Sequence, residues 1–76
     1  MGFAQFRHKR NKNIVTANKS KSKAVLIALE IDENSGASCW LVKWDPRELY
    51  TDIMHDEDFK KVYEPVNEEA QVMWNE

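Results

Sequence analysis

The 76-residue sequence predicts one small α+β domain, on the basis of three observations. Two apolar stretches, at residues 24–31 and 37–44, flank a polar segment that contains Gly36, and the pair Asp45-Pro46 follows directly. We therefore expect a small antiparallel sheet of two to four strands, with a central hairpin at about residues 24–44. One main helix that starts near Pro46 should pack on one face of this sheet.

The hairpin prediction rests on composition. Residues 24–31 are nearly all apolar and rich in branched side chains, which favours a strand. The polar segment that follows is typical of a turn, since Gly36 adopts positive φ at little cost. Successive side chains of a strand point to opposite faces, so Trp40, Val42 and Trp44 should share one face. That row is expected either to pack under a helix or to form an aromatic surface for a ligand.

The segments before the hairpin are shorter. The β-branched run at residues 14–17 predicts a first strand, and residues 18–23 predict a turn or mobile loop. Residues 7–13 are polar and basic without periodicity, which indicates a loop. We therefore divide the chain into a basic N-terminal arm at residues 1–13 and a folded domain at residues 14–76.

Helix-start signals follow the hairpin. Asp45 can cap free backbone N–H groups, Pro46 suits the first helical position, and Glu48 stands where a capping box needs an acid. Leu49, Tyr50 and Ile53 then fall on one helical stripe. The expected core consists of Val25, Ile27, Leu29, Ile31, Leu41, Val42, Leu49, Ile53 and Val62, with Trp40 or Trp44 between sheet and helix.

A second helix start is expected at residues 56–58, where three acids precede Phe59. This helix should end at Glu64-Pro65, because a residue before proline disfavours helical geometry. Residues 66–76 are compatible with a short helix or a closing strand. The spacing of Ala70, Met73 and Trp74 favours the helix.

Charge is segregated along the chain. Residues 1–23 carry seven cations and no acid, whereas residues 24–76 carry four cations and all 13 acids, so that +7 and −9 give the overall charge of −2. The cations could follow a phosphate backbone while two aromatic rings stack on bases. This candidate surface consists of Arg7, Lys9, Arg10, Lys12, Lys19, Lys21 and Lys23, with Phe3 and Phe6.

Other readings of these charges stay open. The cations could neutralise acids of the same molecule or of a second copy in a homodimer, or they could bind an acidic protein surface. Acids near an exposed tryptophan could in turn form a face for a protein partner. That second candidate face consists of Trp44, Tyr50, Asp52, Asp56, Glu57 and Asp58.

Residues that carry chemistry are scarce. His8 and His55 are far apart, Cys39 has no partner at metal-ligand spacing, and two glycines leave no phosphate-binding loop. The group His55, Asp56 and Asp58 is better explained as an acidic helix cap. A Cys39–His55 pair is the only candidate for nucleophilic catalysis, but a cysteine in a strand usually behaves as a buried apolar residue. We therefore predict no catalytic residue, no metal and no cofactor.

A single cysteine and the lack of an apolar run of about 18 residues favour a cytoplasmic protein without a membrane partner. Such a protein should act by binding. We expect a non-catalytic binding or regulatory protein that acts on a larger protein or assembly, of the kind that phages and mobile elements encode as accessory proteins or inhibitors. The alternative is a nucleic-acid-binding protein that uses residues 7–23 to bind DNA or RNA.

Two segments resemble a known family. The strand prediction ends in Trp40-Leu41-Val42-Lys43-Trp44, which is similar to the end of the second chromodomain strand, and Val62-Tyr63-Glu64-Pro65 is similar to the family's later aromatic-Glu-Pro segment. The resemblance implies a methyl-lysine reader with an aromatic cage. However, the interval between Trp44 and Tyr63 is longer than the family allows, and no aromatic residue stands at the start of the stretch from Ala24. We therefore do not assign the chain to this family.

Overall fold

A computed structural model describes residues 3–45, 47 and 52–76. The elements, in chain order, are β1 (Ala4–His8), β2 (Ile14–Ser20), α1 (Lys23–Ala28), β3 (Cys39–Lys43), β4 (Asp52–His55), α2 (Asp56–Val62), β5 (Tyr63–Pro65) and α3 (Glu68–Asn75). The α+β class is confirmed. The described residues contain five strands and three helices, however, rather than the expected two to four strands and one main helix.

All strand pairs are antiparallel, and the strands lie in the order β4-β3-β2-β1-β5. The first four strands are sequential neighbours, while β5 pairs with β1 at the opposite edge from β4. Phe6 in β1 is therefore opposite Val15 on one side and Pro65 on the other. Residues 4–8, which the sequence analysis assigned to the basic N-terminal arm, thus form a strand inside the sheet.

The expected hairpin at residues 24–44 is wrong. Residues 23–28 form α1, and the neighbour of β3 is β2, in a register that runs from Thr16 opposite Lys43 to Ser20 opposite Cys39. A short, continuously apolar run fits a buried strand and a helix equally well, and alanine and leucine are strong helix formers. The first strand predicted at residues 14–17 is confirmed, and it extends to Ser20 into the expected loop.

Turn geometry ends α1 and leads to β3. Glu30 adopts φ 59°, and the N–H of Ile31 donates to the carbonyl of Leu26 at 2.9 Å, an arrangement that closes helix ends with a left-handed residue. Gly36 has φ 77°, as its turn context predicted.

The helix start predicted at Pro46 lies outside the described residues, as do Glu48, Leu49 and Tyr50. Ile53, expected on the stripe of that helix, instead lies in β4 opposite Leu41. The second predicted helix start is confirmed, because α2 begins at Asp56. The tail is helical as favoured, and the Asn67 side chain caps α3 by accepting the Ala70 N–H at 2.8 Å.

The main core lies on one face of the sheet, where α2 and α3 contribute side chains to it. At its centre the rings of Phe6 and Trp40 meet edge to face, with centroids 5.1 Å apart, and Phe6 makes a second such contact with Phe59 at 5.1 Å. The buried members of this cluster are Ala4, Phe6, Val15, Ala17, Trp40, Val42, Phe59, Tyr63, Ala70 and Met73.

The predicted core agrees with the structure only in part. Val42 is buried, and Trp40 lies between sheet and helix as expected, but Ile27 is 58% exposed and Trp44 is 65% exposed. The half-buried members of the predicted set are Val25, Leu29, Ile31, Leu41, Ile53 and Val62. Because residues 23–28 are helical, only one side of that segment faces inward, and it carries Leu26, which is 2% exposed.

Candidate functional site at the basic turn

The predicted cations do not form one continuous surface. Arg10 and Lys12 lie in the turn between β1 and β2, whereas Lys21 and Lys23 lie beyond the other end of β2. At about 3.3 Å per residue, the seven residues of β2 separate the two groups by roughly 20 Å. We call residues 9–13 the basic turn.

Three of the cations contact the protein itself. Arg7 donates its Nε–H to Glu64 at 2.8 Å, and Lys9 donates to the Lys60 carbonyl at 2.9 Å. Lys19 donates to the Glu76 carbonyl and lies 5.7 Å from the Trp40 ring centroid. Partial burial lowers the pKa of Lys19, a shift that nearby Lys60 and Lys21 increase and that Asp56 and Glu76 oppose. Lys9, Arg10 and Lys12 remain exposed at the basic turn.

The two phenylalanines differ in their burial. Phe6 is 0% exposed in the core, so the expectation that it stacks on bases is wrong. Phe3 is half-buried, and the Lys43 ammonium lies 5.0 Å from its ring centroid. Phe6 alternates with exposed Gln5 along β1, which places it on the buried face.

A pocket opens beside the basic turn. Its volume is ≈ 470 Å³, and three of its lining side chains carry rings: His8, Trp44 and Tyr63. The sheet brings these residues together, because His8 is opposite Tyr63 in the β1–β5 pair and Trp44 directly follows β3. The imidazole and the Tyr63 ring meet edge to face, with centroids 5.4 Å apart and planes at 87°. Asn11, Asn13, Ile14 and Val15 complete the lining.

Side chains hold the basic turn closed. His8 Nδ1 accepts the backbone N–H groups of Arg10 at 3.1 Å and Asn11 at 3.3 Å. Asn11 Oδ1 accepts the backbone N–H of Asn13 at 2.9 Å, and the His8 and Asn13 backbones bond at 2.8 Å. Lys12 adopts φ 66°, a left-handed conformation that a tight turn requires. The turn is therefore a defined structure that presents Arg10 and Lys12 to solvent.

Tyr63, one of the pocket residues, is uncharged, whereas charged side chains lie close to the pocket. Burial raises the pKa of Tyr63, the Asp52 carboxylate raises it further, and the nearby Trp44 side chain opposes these effects. The Tyr63 hydroxyl therefore keeps its proton at neutral pH. Lys9 and Lys12 are close enough to Glu64 to help lower its pKa, although the hydrogen bond from Arg7 is the largest cause.

The predicted acidic and aromatic face is divided. Trp44 lies in the pocket and Asp52 near Tyr63, whereas Asp56, Glu57 and Asp58 line a separate cleft of ≈ 470 Å³ at the other end of β4. Tyr50, the remaining member, lies outside the described residues.

Two of the three acids in that cleft have partners within the fold. Asp56 accepts the Trp40 indole N–H at 2.8 Å and lies 3.7 Å from the Lys60 ammonium. Glu57 lies 3.5 Å from the Lys61 ammonium. Both ion pairs are spaced i, i+4 on α2, where such pairs stabilise a helix.

Cys39 and His55, the pair considered for nucleophilic catalysis, are poorly placed for it. Cys39 and His55 are opposite each other in the β3–β4 pair, but Cys39 is fully buried. Burial raises the pKa of its thiol, and Asp56 raises it further, so the reactive thiolate is disfavoured. Among the described residues, no group of three or more histidine, cysteine, aspartate or glutamate side chains could hold a metal ion.

In the same described ranges, no helix has the length and apolar character needed to cross a bilayer. No protein-family model matches the chain, and neither does any curated protein or solved structure.

Sequence reasoning missed His8, Asn11, Asn13 and Tyr63 as pocket residues. The asparagines offered no signal beyond turn composition, and His8 stood alone in the sequence. His8 meets Tyr63 only because β5 returns to the edge beside β1. Trp44 was the one pocket residue with a usable signal, since it occupied a strand face that could be either buried or exposed.

Proposed function

We propose that this protein is a non-catalytic binding protein whose basic turn and adjoining pocket bind single-stranded nucleic acid. One observation carries the proposal: the exposed indole of Trp44 lies in a pocket next to a turn that carries Lys9, Arg10 and Lys12. Residues 7–13 include no acid. Cations beside an exposed aromatic ring are the combination that binds a single strand, through phosphates and base faces respectively.

Single strands are favoured over duplexes for a geometric reason. The faces of bases are covered in a stacked duplex and are accessible in unpaired segments. A ring such as Trp44 contributes about 1–3 kcal/mol per stacked base. The basic turn carries two exposed cations, Arg10 and Lys12, that have no ion-pair partner among the described residues, which suits contact with a few phosphates.

A protein partner is the competing proposal, and Trp44 also favours it. Exposed tryptophans are frequent binding anchors, and Asp58 at the acidic cleft is exposed. A regulatory protein that acts on a larger protein or assembly, whether or not it comes from a phage, would use these features. A homodimer that pairs the basic turn with the acidic cleft would use them as well.

Titration of labelled single-stranded RNA, single-stranded DNA and duplex DNA tests the proposal by fluorescence anisotropy. We expect the single strands to bind, with an affinity that falls several-fold between about 50 mM and about 200 mM salt, because phosphate contacts release counterions. The double variant Arg10→Glu/Lys12→Glu should abolish binding. The matched control Lys21→Glu/Lys23→Glu introduces the same charge change at the far end of β2 and should bind nearly as well as the parent.

Trp44→Ala should weaken single-strand binding by about tenfold or more, in line with the loss of one stacked base. Its salt dependence should not change, because the phosphate contacts remain. If both charge-reversal variants bind equally well, or if no single strand binds at either salt concentration, the proposal is wrong. Capture of a stoichiometric protein that requires Trp44 and the acidic cleft would then favour the competing proposal.

A further inference from the structure

Two of the polar side chains that line the pocket, His8 and Asn11, have already used acceptor atoms within the turn. His8 Nδ1 accepts two backbone N–H groups, from Arg10 and Asn11. A neutral imidazole carries one proton, and with Nδ1 acting as an acceptor that proton lies on Nε2. The imidazole therefore offers an N–H donor and no further acceptor.

Asn11 is arranged in the same way. Its Oδ1 accepts the Asn13 backbone N–H at 2.9 Å, which fixes the orientation of the amide. The Nδ2 group remains, and it can only donate. Asn13 also lines the pocket. Its side-chain amide can turn either its oxygen or its NH₂ group toward a ligand, so it disfavours neither hydrogen-bond donors nor acceptors.

Tyr63 contributes a phenol, which keeps its proton at neutral pH and can donate it to a ligand, although the hydroxyl oxygen can also accept. The polar groups whose orientation the turn fixes, His8 Nε2–H and Asn11 Nδ2, are thus N–H donors at a space of ≈ 470 Å³.

We propose, on the basis of the proposed function, that this pocket takes one unpaired base and prefers a carbonyl at C4 of a pyrimidine or C6 of a purine to an amino group at the same position. Uracil, thymine and guanine present carbonyl acceptors where cytosine and adenine present an amino donor. A carbonyl can accept from Asn11 or His8. An amino group in the same place would set N–H against N–H and leave both without a partner, which costs binding free energy.

The aromatic walls and the basic turn explain why the ligand is a base and not another group rich in acceptors. Trp44 offers a flat face for a planar ring, and Tyr63 and His8 contribute ring surface beside it. The cations Arg10 and Lys12 adjoin the pocket, where the phosphates flanking a bound nucleotide would lie. A carboxylate or free phosphate would satisfy the donors but would leave the indole without a stacking partner.

Oligonucleotides that differ at one central base test the preference. Two pairs exchange an amino group for a carbonyl on the same ring: cytosine with uracil, and adenine with hypoxanthine. We expect uracil and hypoxanthine to bind about fivefold more tightly than their amino counterparts, the scale of one neutral hydrogen bond. The ratio of the two affinities within a pair does not depend on the phosphate contacts, because both oligonucleotides carry the same backbone.

Asn11→Asp is the decisive variant. It retains an oxygen to accept the Asn13 N–H, so the turn can still close, but it replaces the donor Nδ2 with an acceptor. The preference for carbonyl bases should disappear or reverse, while the parent-level preference should persist in the remote control Asn34→Asp. Asn34 lies in the loop between α1 and β3.

The outcomes separate the two proposals. Equal binding within both base pairs by the parent protein overturns the carbonyl preference and leaves single-strand binding intact. An unchanged preference in Asn11→Asp also overturns it. Failure of every oligonucleotide to bind overturns both proposals.

Discussion

The indole of Trp40 in β3 and the phenyl ring of Phe59 in α2 lie almost parallel, with centroids 4.1 Å apart and planes at 9°. Both side chains are fully buried, and Phe6 meets each of them edge to face. Stacked and edge-to-face aromatic pairs contribute stability beyond the area they bury. This three-ring cluster therefore joins α2 to the sheet.

Phe59→Ala should destabilise the protein by about 3–5 kcal/mol, because it leaves a cavity where four aromatic contacts converge. Urea unfolding followed by circular dichroism measures the loss. The matched control is Ile27→Ala, which removes apolar atoms from a side chain that is 58% exposed and should change stability by less than about 1 kcal/mol. Similar losses in the two variants would contradict the core described for the sheet face.

Asp56→Ala should destabilise the fold by about 1–3 kcal/mol, since the buried Trp40 indole N–H loses its acceptor. Asp56→Asn keeps an amide oxygen at that place and should recover most of the loss. Asp58→Ala, two positions further along the same acidic turn, is the control for the lost charge. If Asp56→Ala and Asp58→Ala unfold at the same urea concentration, the hydrogen bond carries no stability.

Alkaline pH should weaken the fold through Cys39. Burial raises the pKa of this thiol and Asp56 raises it further, so the folded state holds the proton more tightly than the unfolded chain. The stabilising contribution is complete below the pKa of an unfolded cysteine, about 8.5, and is lost as the pH rises through the folded pKa. Stability measured from about pH 7 to about pH 10 should fall less steeply in Cys39→Ala than in the parent. Equal slopes would show that the thiol is not involved.

The imidazole of His8 should hold the basic turn closed. Its Nδ1 accepts the backbone N–H groups of Arg10 at 3.1 Å and Asn11 at 3.3 Å. The variant His8→Phe keeps a ring at this position but removes the acceptor, so hydrogen exchange of the Arg10 and Asn11 amides should quicken and their resonances should shift. Exchange rates equal to those of the parent would show that the imidazole does not hold the turn.

The ion pair between Arg7 and Glu64 should contribute little to the free energy of unfolding. Arg7 donates to Glu64 at 2.8 Å, but their side chains are 41% and 34% exposed, and exposed pairs contribute less than about 1 kcal/mol. The hydrogen bond from Arg7 lowers the pKa of Glu64, so its small contribution is present at neutral pH and is lost as the pH falls. Glu64→Gln should shift the urea midpoint only slightly at neutral pH and should remove any acid dependence that Glu64 causes.

The correct predictions rest on signals between residues that are close together in the sequence. The three acids before Phe59 predicted the start of α2, and the spacing of Ala70, Met73 and Trp74 favoured the helix that became α3. Each of these signals lies within about one or two helical turns, so distant parts of the chain do not alter it. The α+β class followed from such signals.

Long-range pairing accounts for the failures. Residues 24–31 are as apolar as a buried strand, but β2 and β4 occupy the two places beside β3, and residues 23–28 form α1 instead. Phe6 was assigned to an exposed arm because its neighbours in sequence are basic, whereas its neighbours in space are Trp40, Phe59 and Val15. The pocket could not be foreseen for the same reason, since His8 and Tyr63 meet only across β1 and β5.

The place of β1 between β2 and β5 affects the order in which the polypeptide can acquire its structure during synthesis. A nascent chain that has just emerged through β4 already contains the β1–β2–β3–β4 meander, but one edge of β1 still lacks a partner. Contacts between segments so distant in sequence carry a large entropic cost and form slowly. The last quarter of the chain supplies both β5 and the core residues Ala70 and Met73, so a ribosome-bound fragment without it should remain loosely organised and open to proteolysis.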